Sequence, residues 1–459
     1  MSESDGGFLA ALAEFLPHER LITDEARLDA YRRDHALLAE AGAPLGAVLP
    51  TSTGEVSHIL RLASRYAVPV VPRGAGTGLS GGANATDGAL VLVLTKMDTI
   101  LEIDVDNLVA VVQPGVINAA VGRAAASQGL WYAADPASFE ISSIGGNVAT
   151  NAGGLNCLKY GVTRQSVLGL EVVLADGTTI RTGGRTLKQA AGYDLTGLFV
   201  GSEGTLGVIT EVTLRLRPAP QPPATVVAFF NSLEEAGEGV LAVARSGVLP
   251  SVLELLDRTT IAAVESWKQL GLNTEAAAML LAQSDAGANS RLDVERISAA
   301  WTTAGATDVY EAQDQTEAEL LMGARRLAFH AIERLGTTIL EDVAVPRAQI
   351  PFLLREIDGV AARSGVTIAT FGHAGDGNFH PTVVIERGSE SSREGAEAAA
   401  GEIMRVAVGL GGTVTGEHGI GLFKRPFLEL DIGSEALETM RTIKRALDPL
   451  GILNPGKAV

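Results

Sequence analysis

The spacing of apolar positions changes several times along this 459-residue chain, and each change predicts an element. Two helices open it, over Gly7–Leu16 and Asp24–Glu40, and neither carries obvious chemistry; His35, in YRRDHA, reads as a surface or capping histidine. Over Gly54–Tyr66, Val56, Ile59, Leu60, Leu62 and Ala63 recur at helical spacing and lead into an apolar strand, Val68–Val71. Ala89–Leu94 (ALVLVL) is a second strand. Between Val93 and Pro218, strand-like runs (LEIDV, LVAVVQPG, SVLGLEVVLADGTTIRTG, VITEVTLRLRP) share the chain with a helix over Ile117–Gln128, a mixed α+β texture. Pro218–Pro223, PAPQPP, is a stiff, extended linker. Beyond it, strands over 226–230, 252–256, 278–282, 338–345 and 366–372 alternate with helices, which predicts an antiparallel sheet covered on one face.

Length adds that one ordinary core cannot hold the chain, so two or three domains are expected, and the 46% of hydrophobic residues suffices to fill them. The N-terminus, MSESDGGFLAALAEF, has acids where a signal peptide has bases, and no apolar run approaches a transmembrane span. The reading is a cytoplasmic protein, with peripheral attachment at a membrane left open. Cys157 is the single cysteine, which excludes an internal disulfide, a cysteine zinc site and a cysteine-held iron–sulfur cluster; any electrons must use another carrier. A net charge of −18 argues against a nucleic-acid surface but leaves room for a local basic pocket.

The densest chemistry signal is Pro72–Ala83, PRGAGTGLSGGA, a loop built for close backbone approach. Gly76, Gly78 and Gly81 satisfy GxGxxG, but a dinucleotide fingerprint needs a helix straight after the turn, and here a turn and a strand follow. What survives is a strand, a glycine loop with backbone N–H groups in a row, and Arg73 at its mouth, which suits a diphosphate. Ser142–Gly154, SSIGGNVATNAGG, has no aromatic or charged side chain and can lie flat against a large planar ligand. GSEGTLGVIT, from Gly201, is a third small-residue turn.

In the second half, FGHAGDGNFHPTVV predicts a hairpin turning at Asp376–Gly377, which pairs Gly375 with Asn378 and His373 with His380. The two imidazoles then stand on one face with Cβ atoms about 5 Å apart, close enough to share a metal. Two histidines satisfied by hydrogen bonds in a polar interior are the plain alternative. Glu417, in GEHGIG, offers a carboxylate to complete a divalent site, and zinc, manganese or iron would accept such a set. On the predicted helix Glu317–Leu335, Arg325 falls beside Leu321, Ala328 and Ile332 on the apolar face, whereas Arg326 shares its side with Glu319 and Glu333 as well as Met322 and Phe329, so Arg325 is the more inward of the two. A buried arginine wants an anion: a substrate carboxylate, or an internal partner such as Glu341 or Asp342.

Taken together, PRGAGTGLSGGA, DPAS from Asp135, IGGNVATNAGG followed by KYG, GYDLTGLFVGSEGTLGVIT, GHAGDGNFH and GEHGIG resemble the vanillyl-alcohol oxidase type flavoenzymes, and among them the D-2-hydroxyacid branch: D-lactate dehydrogenases, D-2-hydroxyglutarate dehydrogenases and the flavin subunit of glycolate oxidase. The resemblance implies an α+β fold with a two-subdomain FAD-binding domain over 1–220 (glycine loop 72–83, second subdomain about 101–218), a substrate cap over 224–418 and a C-terminal segment, 419–459, returning to the FAD domain. It implies FAD contacts from Arg73, Gly74, Ala75, Gly76, Thr77, Gly78 and Leu79 on the diphosphate, and from Pro136, Ser138, Gly145, Gly146, Ala149, Thr150, Glu203 and Ile209 around the rest. Covalent members carry a histidine where this chain has Thr77, so the FAD is expected to be noncovalent. By the same resemblance His373, His380 and Glu417 hold a divalent metal, often zinc, His418 is the base beside the substrate carbon, and Arg325 binds the substrate carboxylate. Two positions depart from the 2-hydroxyglutarate enzymes, Thr382 for an asparagine and Leu340 for a lysine, which weakens the case for a dicarboxylate.

The expectation is an FAD-dependent dehydrogenase that oxidises a small D-2-hydroxy acid, lactate or glycolate, passing hydride to flavin N5 and electrons to an external acceptor: a quinone, a cytochrome, an electron-transfer flavoprotein or oxygen. The alternatives are the flavin subunit of a multi-subunit glycolate oxidase and a non-catalytic flavin-binding electron carrier. A homodimer is left open.

Overall fold

The structure, a computed structural model, describes residues 3–36 and 38–459. It divides into two compact units, one made of Met1–Gly153, Gly161–Ala219 and Glu417–Val459, the other of Gly154–Tyr160 and Pro220–Gly416.

Among the described residues the first unit holds a two-stranded ribbon, Leu130–Trp131 with Arg217–Pro218, and two larger sheets. In the smaller of these two, the strands run in the order Leu21–Ile22, Gly46–Val48, Leu90–Val93, Val70–Arg73, with Leu90–Val93 parallel to both its neighbours. The helix Thr53–Tyr66 turns Val56, Ile59, Leu60 and Ala63 inward; Ser52 caps its start by accepting the Glu55 N–H, and Ala67 ends it in a left-handed conformation. The helix expected over Asp24–Glu40 is shorter, Glu25–Arg32, because Arg33 turns extended; Leu37 lies outside the described residues. The second sheet has five antiparallel strands in the order Ile100–Asp104, Val109–Val112, Val208–Arg215, Val167–Val173, Thr179–Gly183. Val112, Leu170, Val212 and Leu214 pack there against Val121 and Ala125 of the helix Asn118–Ala126 and against Ile144 and Val148. The segment read as flat and small-sided is in part a helix, Ile144–Thr150, and a Cβ on Gly145 would lie 2.5 Å from Pro114 Cβ. Its glycines therefore also serve close packing of that helix. The C-terminal residues run beside the strand Val70–Arg73: Val70 N–H donates to Ile452 O at 2.7 Å and Asn454 N–H to Val70 O at 2.8 Å.

The second unit is built on an eight-stranded sheet in which every pairing is antiparallel, in the order Asp308–Glu311, Ala224–Phe230, Ala278–Ser284, Val252–Asp257, Thr367–His373, Asn378–Ile385, Thr337–Leu340, with Val343–Ala344 also on Asn378–Ile385. Helices pack on the Phe230 and Leu280 side in the order Ser290–Thr303, Leu233–Arg245, Ile350–Ser364, Glu390–Gly409, and a Cβ on Gly239 would meet both side chains. The opposite face, lined by Val227, Phe229, Leu256, Met279, Leu281 and Phe371, is covered too, by Ile261 and Val264 of Arg258–Lys268 and by Leu321, Met322 and Ile332. Helices thus lie on both faces rather than the expected one. The long helix predicted over Glu317–Leu335 is two, Gln315–Arg326 and Ala328–Ile332, meeting at Leu327. Among the described residues no helix is long and apolar enough to cross a membrane.

Candidate functional site

In the first unit the strand Val70–Arg73 ends on an arginine with 7% of its surface exposed, whose Nη1 has no hydrogen-bond partner among the described residues. Burial pulls this guanidinium down from its ordinary value, against the opposing charge of Asp34. Such a group asks for an anion. Gly76 has a φ of 77°, and a Cβ there would sit 2.1 Å from the Arg73 Nη2, so the glycine leaves room for the guanidinium itself. The Ala75 N–H donates to Ser143 Oγ at 3.2 Å and Gly78 O accepts the His35 N–H at 2.9 Å, which fixes both ends of the loop. No backbone N–H of Gly74, Gly76, Thr77, Gly78 or Leu79 finds a protein acceptor among the described residues.

The other positions implied as lining are distributed along the same unit. Pro136 and Ser138 form a turn in which Pro136 O accepts the Phe139 N–H and Ser138 O accepts from Ile141 and Ser142. Gly146 O accepts the Thr150 hydroxyl at 3.2 Å, Ala149 O accepts the Glu203 N–H at 2.8 Å, and Ile209 is buried opposite Val172. Sequence reading passed over two polar groups here: Ser142 Oγ and Asn147 Nδ2 are buried without partners among the described residues. The signal for Asn147 was its place as the one amide in an otherwise apolar turn of helix, IGGNVA.

In the second unit the site is carried by the hairpin Thr367–His373 and Asn378–Ile385. Its turn has four residues, 374–377, instead of two, so His373 pairs with Asn378, and His380 with Phe371. The expected pairing of His373 with His380 is corrected by two positions. The reason lies in the neighbours: Gly377 O accepts the Val345 N–H, Gly375 N–H donates to Leu253 O, and Asn378 Nδ2 donates to Asp342 Oδ1 and Val343 O, at 2.8 and 3.1 Å. A shift of two residues keeps the side-chain face. Both imidazoles therefore remain on one side, ring centroids 5.2 Å apart and nearly perpendicular.

Each imidazole has a buried carboxylate behind it. Glu254, 1% exposed in the strand Val252–Asp257, accepts from His373 Nδ1 at 2.9 Å with one oxygen and from Arg325 Nε at 2.5 Å with the other. Asp342, fully buried, lies 3.6 Å from His380 Nδ1. The Glu254 carboxylate on His373 Nδ1 fixes the proton there and makes Nε2 the lone-pair nitrogen, the usual outer support of a metal-binding histidine, whereas Asp342 is at ion-pair rather than hydrogen-bond distance from His380. Arg325 is 5% exposed and lies over the Phe371 ring at 4.8 Å, whereas Arg326 faces solvent. Its internal partner is Glu254, not the Glu341 or Asp342 weighed from sequence. Glu254 is the residue that sequence reasoning missed, and Asp342, weighed as a partner of Arg325, lies instead beside His380; a carboxylate inside VLELLD, where both faces of a strand are apolar, was the available signal for Glu254.

Asp342 also accepts the Thr415 hydroxyl at 2.8 Å, and its carbonyl accepts the Gly416 N–H at 3.1 Å, directly before Glu417 in the chain. Within the second unit Asp342 and His380 stand together, a carboxylate and an imidazole each with a ligand atom to offer. A nitrogen and oxygen donor set without cysteine is compatible with zinc, manganese or iron.

Residues 219–458 match the FAD linked oxidases, C-terminal domain, and residues 44–183 match an FAD binding domain. The chain belongs to the FAD-linked oxidases. It is 47% identical over 416 residues to the glycolate oxidase subunit GlcD of Bacillus subtilis (strain 168), spanning 90% of this chain and 88% of that one. To a D-lactate dehydrogenase of Archaeoglobus fulgidus it is 39% identical over 437 residues, 94% and 96% of the two chains. In fold it is similar to p-cresol methylhydroxylase, with a TM-score of 0.85 at 17% identity over 100% of this chain and 97% of the other. As a member of this family the chain is an FAD-linked oxidoreductase, its fold is like that of p-cresol methylhydroxylase, and the α+β class read from the sequence holds. The first unit fits FAD on its own chemistry: the partnerless Arg73 Nη1 and the unengaged N–H groups of the glycine loop are the donors a diphosphate asks for.

Proposed function

We propose that the protein oxidises a small D-2-hydroxy acid, D-lactate or glycolate, to the 2-oxo acid with noncovalent FAD and a divalent metal, zinc by preference, and passes the electrons to an external acceptor. The observation that carries this is the buried array Arg325–Glu254–His373, which sets a cation for a carboxylate beside a pair of imidazoles on one face of a hairpin.

Bound FAD supplies a two-electron acceptor, and a bound metal supplies a Lewis acid toward the substrate hydroxyl. The chain's residues do the rest. Arg325 binds the substrate carboxylate, with Glu254 holding its Nε so that the guanidinium presents its Nη edge. His373, His380 and Glu417 would hold the metal, with Glu254 fixing the His373 imidazole through Nδ1. His418 would take the hydroxyl proton, and FAD, when bound, would supply the acceptor for the C2 hydrogen and its electron pair. Leu340 packs against an apolar cluster and the Thr382 hydroxyl donates to His380 O at 3.2 Å, so neither offers a donor to a second carboxylate; both support a monocarboxylate substrate.

A second reading, the flavin subunit of a multi-subunit glycolate oxidase, is favoured by the similarity to the Bacillus subtilis glycolate oxidase subunit. It shares the chemistry and differs in whether the purified chain turns over with an artificial acceptor. The test of the main reading is an anaerobic screen of D- and L-2-hydroxy acids for flavin bleaching, run on wild type, Arg325→Met and Arg326→Met. D-Lactate or glycolate should bleach the wild type; Arg325→Met should raise KM by a factor worth about 2 to 5 kcal/mol, and Arg326→Met should do little. Equal effects of the two substitutions, or no bleaching by any hydroxy acid, would refute the reading.

A further inference from the structure

The resemblance to the family puts Glu203 on the flavin, yet its carboxylate is spent elsewhere. Glu203 holds a left-handed conformation, φ 51°, that a non-glycine residue keeps only when its surroundings impose it. They do so from both sides: its N–H donates to Ala149 O at 2.8 Å, and its carbonyl accepts Asn454 Nδ2 at 2.7 Å. So fixed, its two oxygens accept the N–H groups of Ile420 and Gly421 at 2.7 and 2.8 Å. Gly419, φ 82°, passes so close that a Cβ there would lie 3.1 Å from the carboxylate. Ser80, one residue beyond the diphosphate loop, grips the same segment: its hydroxyl donates to His418 O at 3.1 Å, and its carbonyl accepts from Leu422 and Phe423 at 2.8 and 3.1 Å. Gly421 O in turn accepts the Ala458 N–H at 3.1 Å.

We propose that Glu203, with Ser80, is a positioning residue for His418: the clamp fixes the backbone on the C-terminal side of the base, and through it the direction of the imidazole. This rests on the reading of His418 as the base. The clamp's contacts run from the carbonyl of His418 to the amide of Phe423, so the six residues have little freedom to rotate once both partners are in place. Charge-assisted bonds to two successive N–H groups are the stronger half of the grip, and the Ser80 hydroxyl the weaker.

Glu203→Gln keeps the size and one acceptor but turns an NH2 toward the second N–H. The variant should retain FAD at wild-type stoichiometry, lose about 10- to 100-fold in the rate of anaerobic flavin reduction and change KM little, as a misplaced base does. Hydrogen exchange of the amides of Ile420 and Gly421 should quicken in the same protein, a readout independent of turnover. Ser80→Ala, which removes a hydroxyl only, should show the same split at about three- to tenfold. Because both act on one segment, the double variant should lose less than the product of the two. His418→Asn is measured alongside: wild-type reduction in it would overturn the base reading and this proposal with it. If His418→Asn is inactive while Glu203→Gln and Ser80→Ala reduce flavin at wild-type rates, the clamp alone is overturned. Loss of FAD in proportion to rate in Glu203→Gln would also overturn it, making Glu203 a flavin ligand.

Discussion

Lys457 carries its charge where almost no water reaches. It is 1% exposed, with Nζ donating to Asn454 Oδ1 at 2.9 Å and to Asn84 O, and burial pulls its pKa to about 8, against the raising effect of Asp34 and Glu203. The sign follows from linkage. Folded Lys457 binds its proton less tightly than the unfolded lysine, so the full penalty stands below pH 8 and is relieved as pH rises toward the ordinary value of 10.5. Lys457→Met has no such dependence. Relative to it, the wild type should gain about 3 kcal/mol in unfolding free energy between pH 7 and 11, read from urea titrations at both. A pH-independent difference would mean that the ammonium is solvated or fully offset. Other single residues show what sequence could supply. Arg325 was told from Arg326 by helical phase alone, and the structure buries the first and exposes the second. Its partner was not legible: Glu254 lies 71 positions away, and nothing in local periodicity says which of several carboxylates a buried cation meets.

At the scale of elements, period and punctuation located most strands and helices, while registers depended on partners that pattern does not encode. The hairpin shows this: the Asp-Gly signal called for a two-residue turn, yet the pull of Val345, Leu253 and Asp342 on Gly377, Gly375 and Asn378 makes it four. Side-chain parity survived because the shift was even. The two glycines of that turn carry different loads. Gly377 has φ 84° and a Cβ there would sit 2.3 Å from Val345 O, a backbone atom, whereas Gly375 has no positive φ and its Cβ would meet the side chain of Leu158 at 2.3 Å and Leu253 Cβ at 3.0 Å. Gly377→Ala should therefore cost about 2–4 kcal/mol of stability, combining a left-handed alanine with a clash that only the strand itself can relieve. Gly375→Ala should cost less, since Leu158 can change rotamer. Urea denaturation of both variants checks the order, and the reverse order would remove the account of the turn.

At the scale of the whole molecule, α+β texture was legible because both halves alternate strands and helices, but the assignment of Gly154–Tyr160 to the second unit was not. That excursion is held by Lys159 and Tyr160 on Asp285, a pairing across more than a hundred residues. The FAD binding domain match ends at residue 183, in the first unit, while His373 and His380 stand on the hairpin of the second. Flavin and metal should accordingly be separable by substitution. His373→Ala and His380→Ala should each lose most of the metal and most of the flavin reduction while keeping FAD, because the glycine loop is untouched. Glu417→Gln should behave likewise. His418→Asn should keep both metal and FAD and lose the chemical step, with kcat lower by about 10² to 10⁴, since a base need not be a ligand. If His418→Asn loses metal and His373→Ala retains it, His418 is a ligand rather than the base, and His373 serves the Arg325–Glu254 array instead. Elemental analysis and anaerobic reduction of the same four proteins decide between the two assignments. Wild-type reduction after complete chelation, with metal loss confirmed, would leave the histidines structural and end the metal-assisted mechanism.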